Sequence, residues 1–206
     1  HTVNADGRTS IVGLDGEGKF VAWAKVPSGM KPEEMDLKSV IYAAIGEPIY
    51  VEIISAKPWT AGLSLVANSY CSGSILMSGD AVHLFTPTGG FGMNTGVDDA
   101  ANLAWKLAAL YHGWGGPNLV ASYEKERRPI AVRNLAQSYA LAEIKSQINV
   151  PEGVEDNTAS GDSIRTNLGR RFMIELAEEY KCIGIQLGAQ YMASPLIEYD
   201  GSEQPC

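Results

Sequence analysis

The stretch from Ser74 to Ala108 constrains the fold of this chain more than any other part of the sequence. It opens with a short apolar run, Ile75 to Met77, which has the length of a buried strand. Gly79-Asp80 ends this run, so a carboxylate follows the carboxyl end of the predicted strand. Because α/β sheets hold ligands at the carboxyl ends of their strands, Asp80 is a candidate ligand contact.

A glycine-rich segment follows, and a helix is predicted directly after it. Glycines allow positive φ angles and close contact between backbone and ligand, and the segment behind Pro87 contains Gly89, Gly90, Gly92 and Gly96. Apolar residues then recur at helical spacing until Gly113, namely Ala100, Leu103, Ala104, Leu107, Ala108 and Tyr111. The unpaired N–H groups and the positive dipole end at such a helix start favour an electron-rich ligand group.

The segment does not match the common phosphate-binding motifs. Thr95 stands where a dinucleotide fingerprint requires its third glycine, and no GxxxxGK[ST] motif occurs in the sequence. Asp98 and Asp99, which we expect in the first helical turn, would compete with a polyanion for the same helix dipole. A neutral or singly anionic group therefore suits the loop better.

These residues closely resemble the second flavin-binding motif of the single-component FAD-dependent aromatic hydroxylases. The matching segments are Gly79-Asp-Ala-Val-His83, Pro87-Thr-Gly-Gly-Phe-Gly-Met-Asn-Thr-Gly96 and Asp99-Ala-Ala-Asn-Leu-Ala-Trp-Lys-Leu-Ala108. Within the para-hydroxybenzoate hydroxylase superfamily, the chain is most similar to the phenol hydroxylase and chlorophenol monooxygenase branch. Pro58-Trp59, Tyr123 to Pro129 and Ile185 to Tyr191 also resemble that branch.

The resemblance implies a binding site for FAD. The matching cofactor-binding positions are Gly79, Asp80, Pro87, Gly90, Gly92, Met93 and Asn94. Asp80 corresponds to the aspartate that accepts hydrogen bonds from the ribityl chain of FAD. The backbone N–H groups of Met93 and Asn94 correspond to those that face the pyrimidine edge of the flavin, where the reduced flavin carries negative charge.

The resemblance further implies a flavoprotein monooxygenase that hydroxylates a phenolic or polycyclic aromatic substrate with FAD, NAD(P)H and O2. No side chain is expected to be a catalytic group, because the flavin carries the chemistry. The loop near Pro87 would border the reaction site, and Pro87 and Trp59 are candidate substrate contacts. The alternatives that stay open are a cofactor-free cyclase, isomerase or binding protein derived from such an enzyme, and one subunit of a split hydroxylase.

The predicted fold is α+β or α/β, with an antiparallel sheet of a substrate domain and the second half of a flavin-binding domain with long helices. Residues 1–70 would form part of the substrate-binding domain, 71–148 the second half of the FAD-binding domain, 149–162 a surface loop and 163–206 a C-terminal helical segment. No GxGxxG motif occurs between His1 and Cys206. We therefore expect a fragment, a truncated product or half of a split enzyme, completed by an N-terminal Rossmann-like segment or a partner chain that carries GxGxxG.

Local patterns predict the individual elements. Antiparallel strands are expected within residues 1–28, with tight turns at Asn4 to Gly7 and Asp15 to Gly18. A helix around Met35 to Ala44, ended by Gly46, precedes strands at Ile49 to Ile54 and Trp59 to Val66 and a turn at Ala67 to Gly73. Further helices are expected at about Leu119 to Ile148, with Pro129 as a point of bending, and at Ser163 to Tyr180, after which Ile183 to Tyr191 would pack on the core.

Several polar residues allow two interpretations. His83 is expected to be a hydrogen-bonded structural group rather than a general base. First-turn carboxylates that favour the helix dipole explain Asp98 and Asp99 more simply than an acid–base pair does. For Arg127 and Arg128 we expect helix-face ion pairs with Glu124 or Glu126 in preference to contacts with a phosphate or NADPH. Core positions are predicted for Trp59, Trp105, Tyr111 and Tyr123, and for Leu135, Tyr139, Ala142 and Ile148 of the long helix.

The composition limits the classes of partner. A net charge of −8 and a pI near 4.9 argue against a nucleic-acid surface or an anionic membrane partner. No apolar run reaches the length that spans a membrane. We expect a cytoplasmic protein, and the sequence leaves a homodimer open. Cys71, Cys182 and Cys206 lack the spacing of a metal site, so no metal is expected and the thiols are interpreted as reduced and structural.

Overall fold

The computed structural model describes residues 2–4, 7–27, 29–59, 63–198 and 201. The strands are β1 (Thr2–Asn4), β2 (Gly7–Gly13), β3 (Phe20–Trp23), β4 (Leu65–Val66), β5 (Cys71–Ser72), β6 (Ile75–Leu76) and β7 (His83–Leu84). The helices are α1 (Leu37–Ile45), α2 (Phe91–Tyr111), α3 (Pro117–Gln147), α4 (Ala159–Glu175) and α5 (Ile183–Leu187). This mixture of helices and small antiparallel sheets confirms the predicted fold class.

The chain forms two compact units, and the first comprises His1–Thr60 with Ile148–Met173. Its sheet has the order β1-β2-β3 and is antiparallel, so the strands predicted within residues 1–28 are confirmed. The Asp15 carboxylate closes the β2–β3 turn by accepting the N–H groups of Glu17, Gly18 and Lys19 at 3.0–3.1 Å. The predicted turn at Asn4 to Gly7 lies partly outside the described residues.

Helix α1 begins and ends where the sequence signals predict. The Asp36 carboxylate accepts the N–H groups of Lys38 and Ser39, and this cap satisfies two of the free donors at the helix start. Gly46 ends the helix in the left-handed conformation, with a φ of 94°. The predicted helix around Met35 to Ala44 is therefore confirmed, and α1 packs against β1 and β2.

The strand predicted at Ile49 to Ile54 is wrong. Residues 48–59 are described and form neither strand nor helix. An alternating segment forms a strand only where a neighbouring strand pairs with it and a core covers one of its faces. The Tyr50 side chain is 94% exposed, so it packs on no such core. Of the strand predicted at Trp59 to Val66 only β4 forms, while residues 60–62 lie outside the described part of the chain.

The second unit comprises Ala61–Gln147 and Ile174–Cys206. Its core contains a buried cluster of Tyr70, Val82, Tyr123 and Ala131, contributed by the strand region and by α3. Strand β4 pairs with β7, and β5 pairs with β6, both antiparallel. The strand predicted at Ile75 to Met77 is thus confirmed as β6, and β5 replaces the end of the turn predicted at Ala67 to Gly73.

The long helices follow the predictions with shifted bounds. Helix α3 runs through Pro129 without interruption. The helix predicted at Ser163 to Tyr180 is α4, which ends at Glu175 and precedes a 3-10 turn at Ala177–Glu179. Ile185 packs against the cluster of Phe91, Leu141 and Cys182, which confirms that the segment from Ile183 to Tyr191 returns to the core. Within the described residues no helix combines the length and the apolar character that crossing a membrane requires.

Helix α2 has an unusual distribution of buried residues. It begins at Phe91, earlier than the apolar pattern indicates, and includes Gly92 and Gly96. Its buried positions are Phe91, Thr95, Asp99, Asn102, Lys106 and Ala109, so the packed face is mostly polar. The opposite face is apolar and open, and consists of Met93, Val97, Ala100, Ala104, Leu107, Ala108 and Tyr111. We call this face the apolar stripe of α2.

The core positions predicted from side-chain type are only partly correct. Tyr123 is fully buried and Ile148 is 2% exposed, as predicted. The predictions for Trp59, Trp105, Tyr111 and Tyr139 are wrong, because all four side chains are exposed in the described structure. Leu135 and Ala142 are half-buried. The buried face of α3 instead includes Tyr123, Ile130, Ala131 and Leu141 together with the polar side chains described below.

Candidate functional site

The turn that carries Asp80 lies directly against helix α2. Gly79–Ala81 forms a 3-10 turn after β6, and Gly79 has a φ of 60°. A Cβ atom added to Gly96 would lie 3.3 Å from the Gly79 Cα atom, which is tighter than ordinary van der Waals contact. The close approach therefore favours glycine at residue 96, while the positive φ angle favours glycine at residue 79. As a result the turn that contains the exposed Asp80 packs against α2 at Gly96.

Asp99 connects this turn to the rest of the unit. One carboxylate oxygen lies 2.8 Å from His83 Nε2 and accepts the Gly79 N–H at 3.3 Å. The other oxygen accepts a hydrogen bond from Arg127 Nε at 2.7 Å. All three side chains are at most 1% exposed. Because α2 begins at Phe91, Asp98 and Asp99 both lie beyond its first turn, and the prediction that they belong to that turn is wrong.

Arg127 belongs to the same buried cluster. We call the cluster of Asp99, His83, Arg127 and the Gly79 N–H the Asp99 network. Burial disfavours the charged guanidinium group, but hydrogen bonds to Asp99 and to the Tyr191 hydroxyl outweigh this effect and raise the pKa of Arg127. Arg128 donates to the Ala67 carbonyl at 2.9 Å. The predicted helix-face ion pairs of these two arginines with Glu124 or Glu126 are wrong, since the described contacts of both run to other parts of the fold.

His83 is a structural group, as the sequence indicates. Its Nε2 atom faces Asp99, and its ring stacks on Phe85 with the ring centroids 4.6 Å apart. Its side chain is fully buried. This position removes His83 from the surface where a substrate would bind.

A second buried cluster joins α2 to α3. Lys106 Nζ lies 2.5 Å from Glu126 Oε2, and the same carboxylate accepts hydrogen bonds from Asn102 and Ser194. Burial raises the pKa of a carboxyl group, but these hydrogen bonds dominate, and the pKa of Glu126 lies below its ordinary value. Charged groups thus form part of the contact between these helices, together with Leu103 of α2, which packs against the cluster that contains Tyr123 and Ala131.

The start of α2 leaves backbone donors free. Its N-cap is Gly90, with a φ of 67°, and no side chain caps the helix. Helix geometry leaves the N–H groups of Gly92 and Met93, in the first turn, without acceptors one turn back. The Met93 side chain is 78% exposed, and the Asn94 side-chain amide donates to the Gly90 carbonyl at 2.8 Å. The free donors therefore lie at an open surface.

The structure brings together most of the predicted site residues. Gly79, Asp80, Gly90, Gly92, Met93 and Asn94 all belong to the Gly79 turn or to the start of α2, and Pro87 precedes this helix start. Trp59 belongs to the first unit, where it is 63% exposed. A cavity of about 450 Å³ in that unit is lined by Val154, Leu168 and Phe172 among others, and by none of the predicted site residues.

These residues fit a flavin. Free backbone donors suit the carbonyl oxygens and the ring nitrogen at the pyrimidine edge, and an exposed carboxylate suits the hydroxyl groups of a ribityl chain. Asp80 and the α2 start offer both, on a turn and a helix that pack against each other at Gly79 and Gly96. Among the described residues no cluster of His, Cys, Asp and Glu has the arrangement of a metal site.

The contacts behind this surface could not be found from the sequence. The Asp99 network, the Lys106–Glu126 pair and the Glu179 contact to the Gly89 N–H all join positions far apart in the chain. Helical spacing on one element gives no sign of such partners. The polar residues at intervals along α2, Thr95, Asp99, Asn102 and Lys106, are the available signal, because their spacing marks one helical face.

Known proteins share this sequence and this fold. The family model described as FAD binding domain matches residues 25–138. A putative polyketide hydroxylase of Streptomyces coelicolor is 50% identical over 99 residues, which is 48% of this chain and 16% of the relative. The FAD-dependent monooxygenase opdD of Penicillium oxalicum is 33% identical over 190 residues, which is 86% of this chain and 36% of the relative.

Solved structures extend the similarity to nearly the whole chain. The rebeccamycin biosynthetic enzyme RebC with reduced flavin has a TM-score of 0.80 and 32% identity, over 95% of this chain and 37% of that one. The flavin-dependent monooxygenase PieE in complex with FAD and substrate has a TM-score of 0.76 and 25% identity over the same shares. The chain thus spans about a sixth to just over a third of these relatives. It belongs to the FAD-binding domain family.

Proposed function

We propose that this chain is part of a flavoprotein monooxygenase that hydroxylates a phenolic or polycyclic aromatic substrate with FAD, NAD(P)H and O2. The observation that carries the proposal is the uncapped start of α2, the helix against which the turn with the exposed Asp80 packs. The names of the relatives, a polyketide hydroxylase and FAD-dependent monooxygenases, support the reaction class.

Each residue has a defined part in the proposal. The Asp80 carboxylate accepts hydrogen bonds from the ribityl chain, and the N–H groups at the start of α2 stabilise negative charge at the pyrimidine edge. Pro87, next to that helix start, borders the space for the aromatic ring. When bound, FAD supplies electron transfer from NAD(P)H to O2 and insertion of one oxygen atom into the ring. The protein binds and orients FAD and the substrate, and it excludes water from the space between them.

The apolar stripe of α2 points to further polypeptide in the assembled protein. An exposed apolar surface of this length on one helix is typical of a surface that is covered in the complete assembly. The matched relatives contain much more polypeptide than this chain. We assign the stripe to the segment that carries GxGxxG and holds the ADP half of FAD. Cytoplasmic location and a homodimer are retained as predictions from the sequence alone.

Isotope labelling of the product tests the proposed reaction. The complete polypeptide is supplied with NADPH, ¹⁸O₂ and a panel of phenols and polycyclic aromatic compounds. We expect one ¹⁸O atom in a hydroxylated product, with flavin absorbance in the purified protein. A protein that retains no flavin and forms no labelled product with any compound would contradict the proposal.

An Asp80→Ala substitution tests the flavin contact itself. Loss of hydrogen bonds to the ribityl chain should raise the FAD dissociation constant about tenfold, the effect of about 1.4 kcal/mol. Fluorescence titration with FAD measures this constant. Because the Asp80 side chain is exposed, the unfolding midpoint of the flavin-free protein should stay at the wild-type value. Equal FAD affinity in the variant and the wild type would exclude the contact.

A further inference from the structure

A carboxylate from the segment after α4 reaches the loop in front of α2. Glu179 ends the 3-10 turn Ala177–Glu179, and its Oε1 atom accepts the Gly89 N–H at 3.1 Å. Lys145 Nζ lies 2.8 Å from the same oxygen and 2.6 Å from the other one. The Glu179 side chain is only 14% exposed. Its charge is therefore balanced and its orientation is fixed by a partner on α3.

The loop whose Gly89 N–H donates this hydrogen bond has little rigidity of its own. Thr88–Gly90 forms a single 3-10 turn, in which Gly89 and Gly90 have φ angles of 82° and 67°. Glycine populates several backbone regions at similar energy, so two consecutive glycines allow the loop many conformations. The direction of the first N–H groups of α2 depends on the loop that precedes them. A contact from outside the loop can select one conformation.

Neighbouring contacts fix the same segment at both ends. On one side the Thr86 hydroxyl donates to the Ser138 carbonyl of α3 at 2.9 Å. On the other side Phe91 is buried and packs with Leu141 and Cys182. Between these two anchors lies the Gly89–Glu179 hydrogen bond. The back of the loop is thus attached to α3 and to the segment around residues 177–185, while its front stays open.

We propose that Glu179 is a positioning residue, which holds the backbone of Pro87 to Gly90 so that the free N–H groups at the start of α2 face the flavin. This role rests on the proposed function. Glu179 acts through the Gly89 N–H and contacts neither FAD nor the substrate. What matters is an acceptor oxygen at this position. Gln at residue 179 keeps such an oxygen, and Ala removes it.

Three variants separate this role from a general effect on the fold. Glu179→Ala removes the acceptor, Glu179→Gln keeps an acceptor oxygen without the charge, and Glu178→Ala removes the exposed neighbouring carboxylate as a control. Backbone amide exchange at Gly89 is measured in the flavin-free complete polypeptide, and the FAD dissociation constant is measured by fluorescence. For Glu179→Ala we expect about tenfold faster exchange at Gly89 and about tenfold weaker FAD binding.

The exchange rate at Gly89 and the FAD dissociation constant of the three variants can also contradict the proposal. Glu179→Gln should stay within about threefold of the wild type in both measurements, and Glu178→Ala should match the wild type. Equal exchange and equal FAD affinity in Glu179→Ala and the wild type would overturn the role of Glu179, as would losses of the same size in all three variants. A wild type that binds no FAD would instead overturn the proposed function, whatever the exchange at Gly89.

Discussion

Replacing Asp99 by alanine is expected to lower the free energy of unfolding of the second unit by about 3–5 kcal/mol, the cost of breaking a buried ion pair. The substitution leaves the Arg127 guanidinium, which is 1% exposed, without its carboxylate. It also removes the acceptor for the Gly79 N–H and for His83. Urea denaturation followed by circular dichroism measures the change.

Asp98 is the matched control for this prediction. It precedes Asp99 in the same helix but is 67% exposed, and it lies 3.8 Å from Arg127. Exposed ion pairs contribute little, so Asp98→Ala should change the free energy of unfolding by less than about 1 kcal/mol. If both variants lose the same stability, or if neither does, the Asp99 network is not what joins the Gly79 turn to α2 and α3.

Replacing Lys106 by methionine is expected to destabilise the same unit by about 3–5 kcal/mol at neutral pH. Methionine keeps most of the apolar stem, but the Glu126 carboxylate stays buried without its cation. The exposed Lys125 on α3 provides the control, and Lys125→Met should differ from the wild type by less than about 0.5 kcal/mol. A double variant, Lys106→Met with Glu126→Gln, should recover part of the loss because it removes the unpaired charge.

The pH dependence of the free energy of unfolding is a second, independent test of the Lys106–Glu126 ion pair. The pKa of Glu126 is lowered in the folded protein from its ordinary value of 4.5. Its contribution is therefore complete above pH 4.5 and is lost as the pH falls through the folded-state pKa. In Lys106→Met this acid-linked loss should shrink, since the cation that lowers the pKa is gone. An unchanged slope of stability against pH in the variant would contradict the assignment.

The sequence predicts the elements well where the signals are local. Asp36 and Gly46 mark the two ends of α1, and the turn chemistry of Asp15 marks the β2–β3 hairpin. The strand at Ile49 to Ile54 fails, because alternation alone does not supply a neighbouring strand. Local patterns thus define elements, while strand pairing depends on residues elsewhere.

Helix α2 shows why the periodicity of apolar residues does not identify the buried face. The pattern identifies one apolar face correctly, but the face that packs on α3 in this chain is the polar one. Partners for Asp99 and Lys106 come from α3, at Arg127 and Glu126, and no spacing rule within α2 indicates them. An apolar stripe predicts that something covers it, without identifying the polypeptide that does so.

The candidate site also has one side that the sequence predicts and one side that it does not predict. Its open side, with Asp80 and the start of α2, follows from the glycine-rich stretch and from the resemblance to a known motif. Its supporting side does not follow from the sequence: Glu179 lies far from Gly89 in the chain, and the apolar pattern of α2 places Asp99 in the wrong helical turn. Residues that would contact a ligand follow a recurrent motif, while residues that fix the motif from behind depend on the tertiary fold.

A crystal structure of the complete polypeptide with FAD bound tests the central claim most directly. The measured quantity is the distance from the Gly92 and Met93 backbone nitrogens to the oxygen and nitrogen atoms at the pyrimidine edge of the flavin. We predict a hydrogen bond of about 2.7–3.2 Å to at least one of these nitrogens, with the Asp80 carboxylate on the ribityl chain. A flavin bound elsewhere, with the start of α2 closed by a side chain from the remaining polypeptide, would contradict the account.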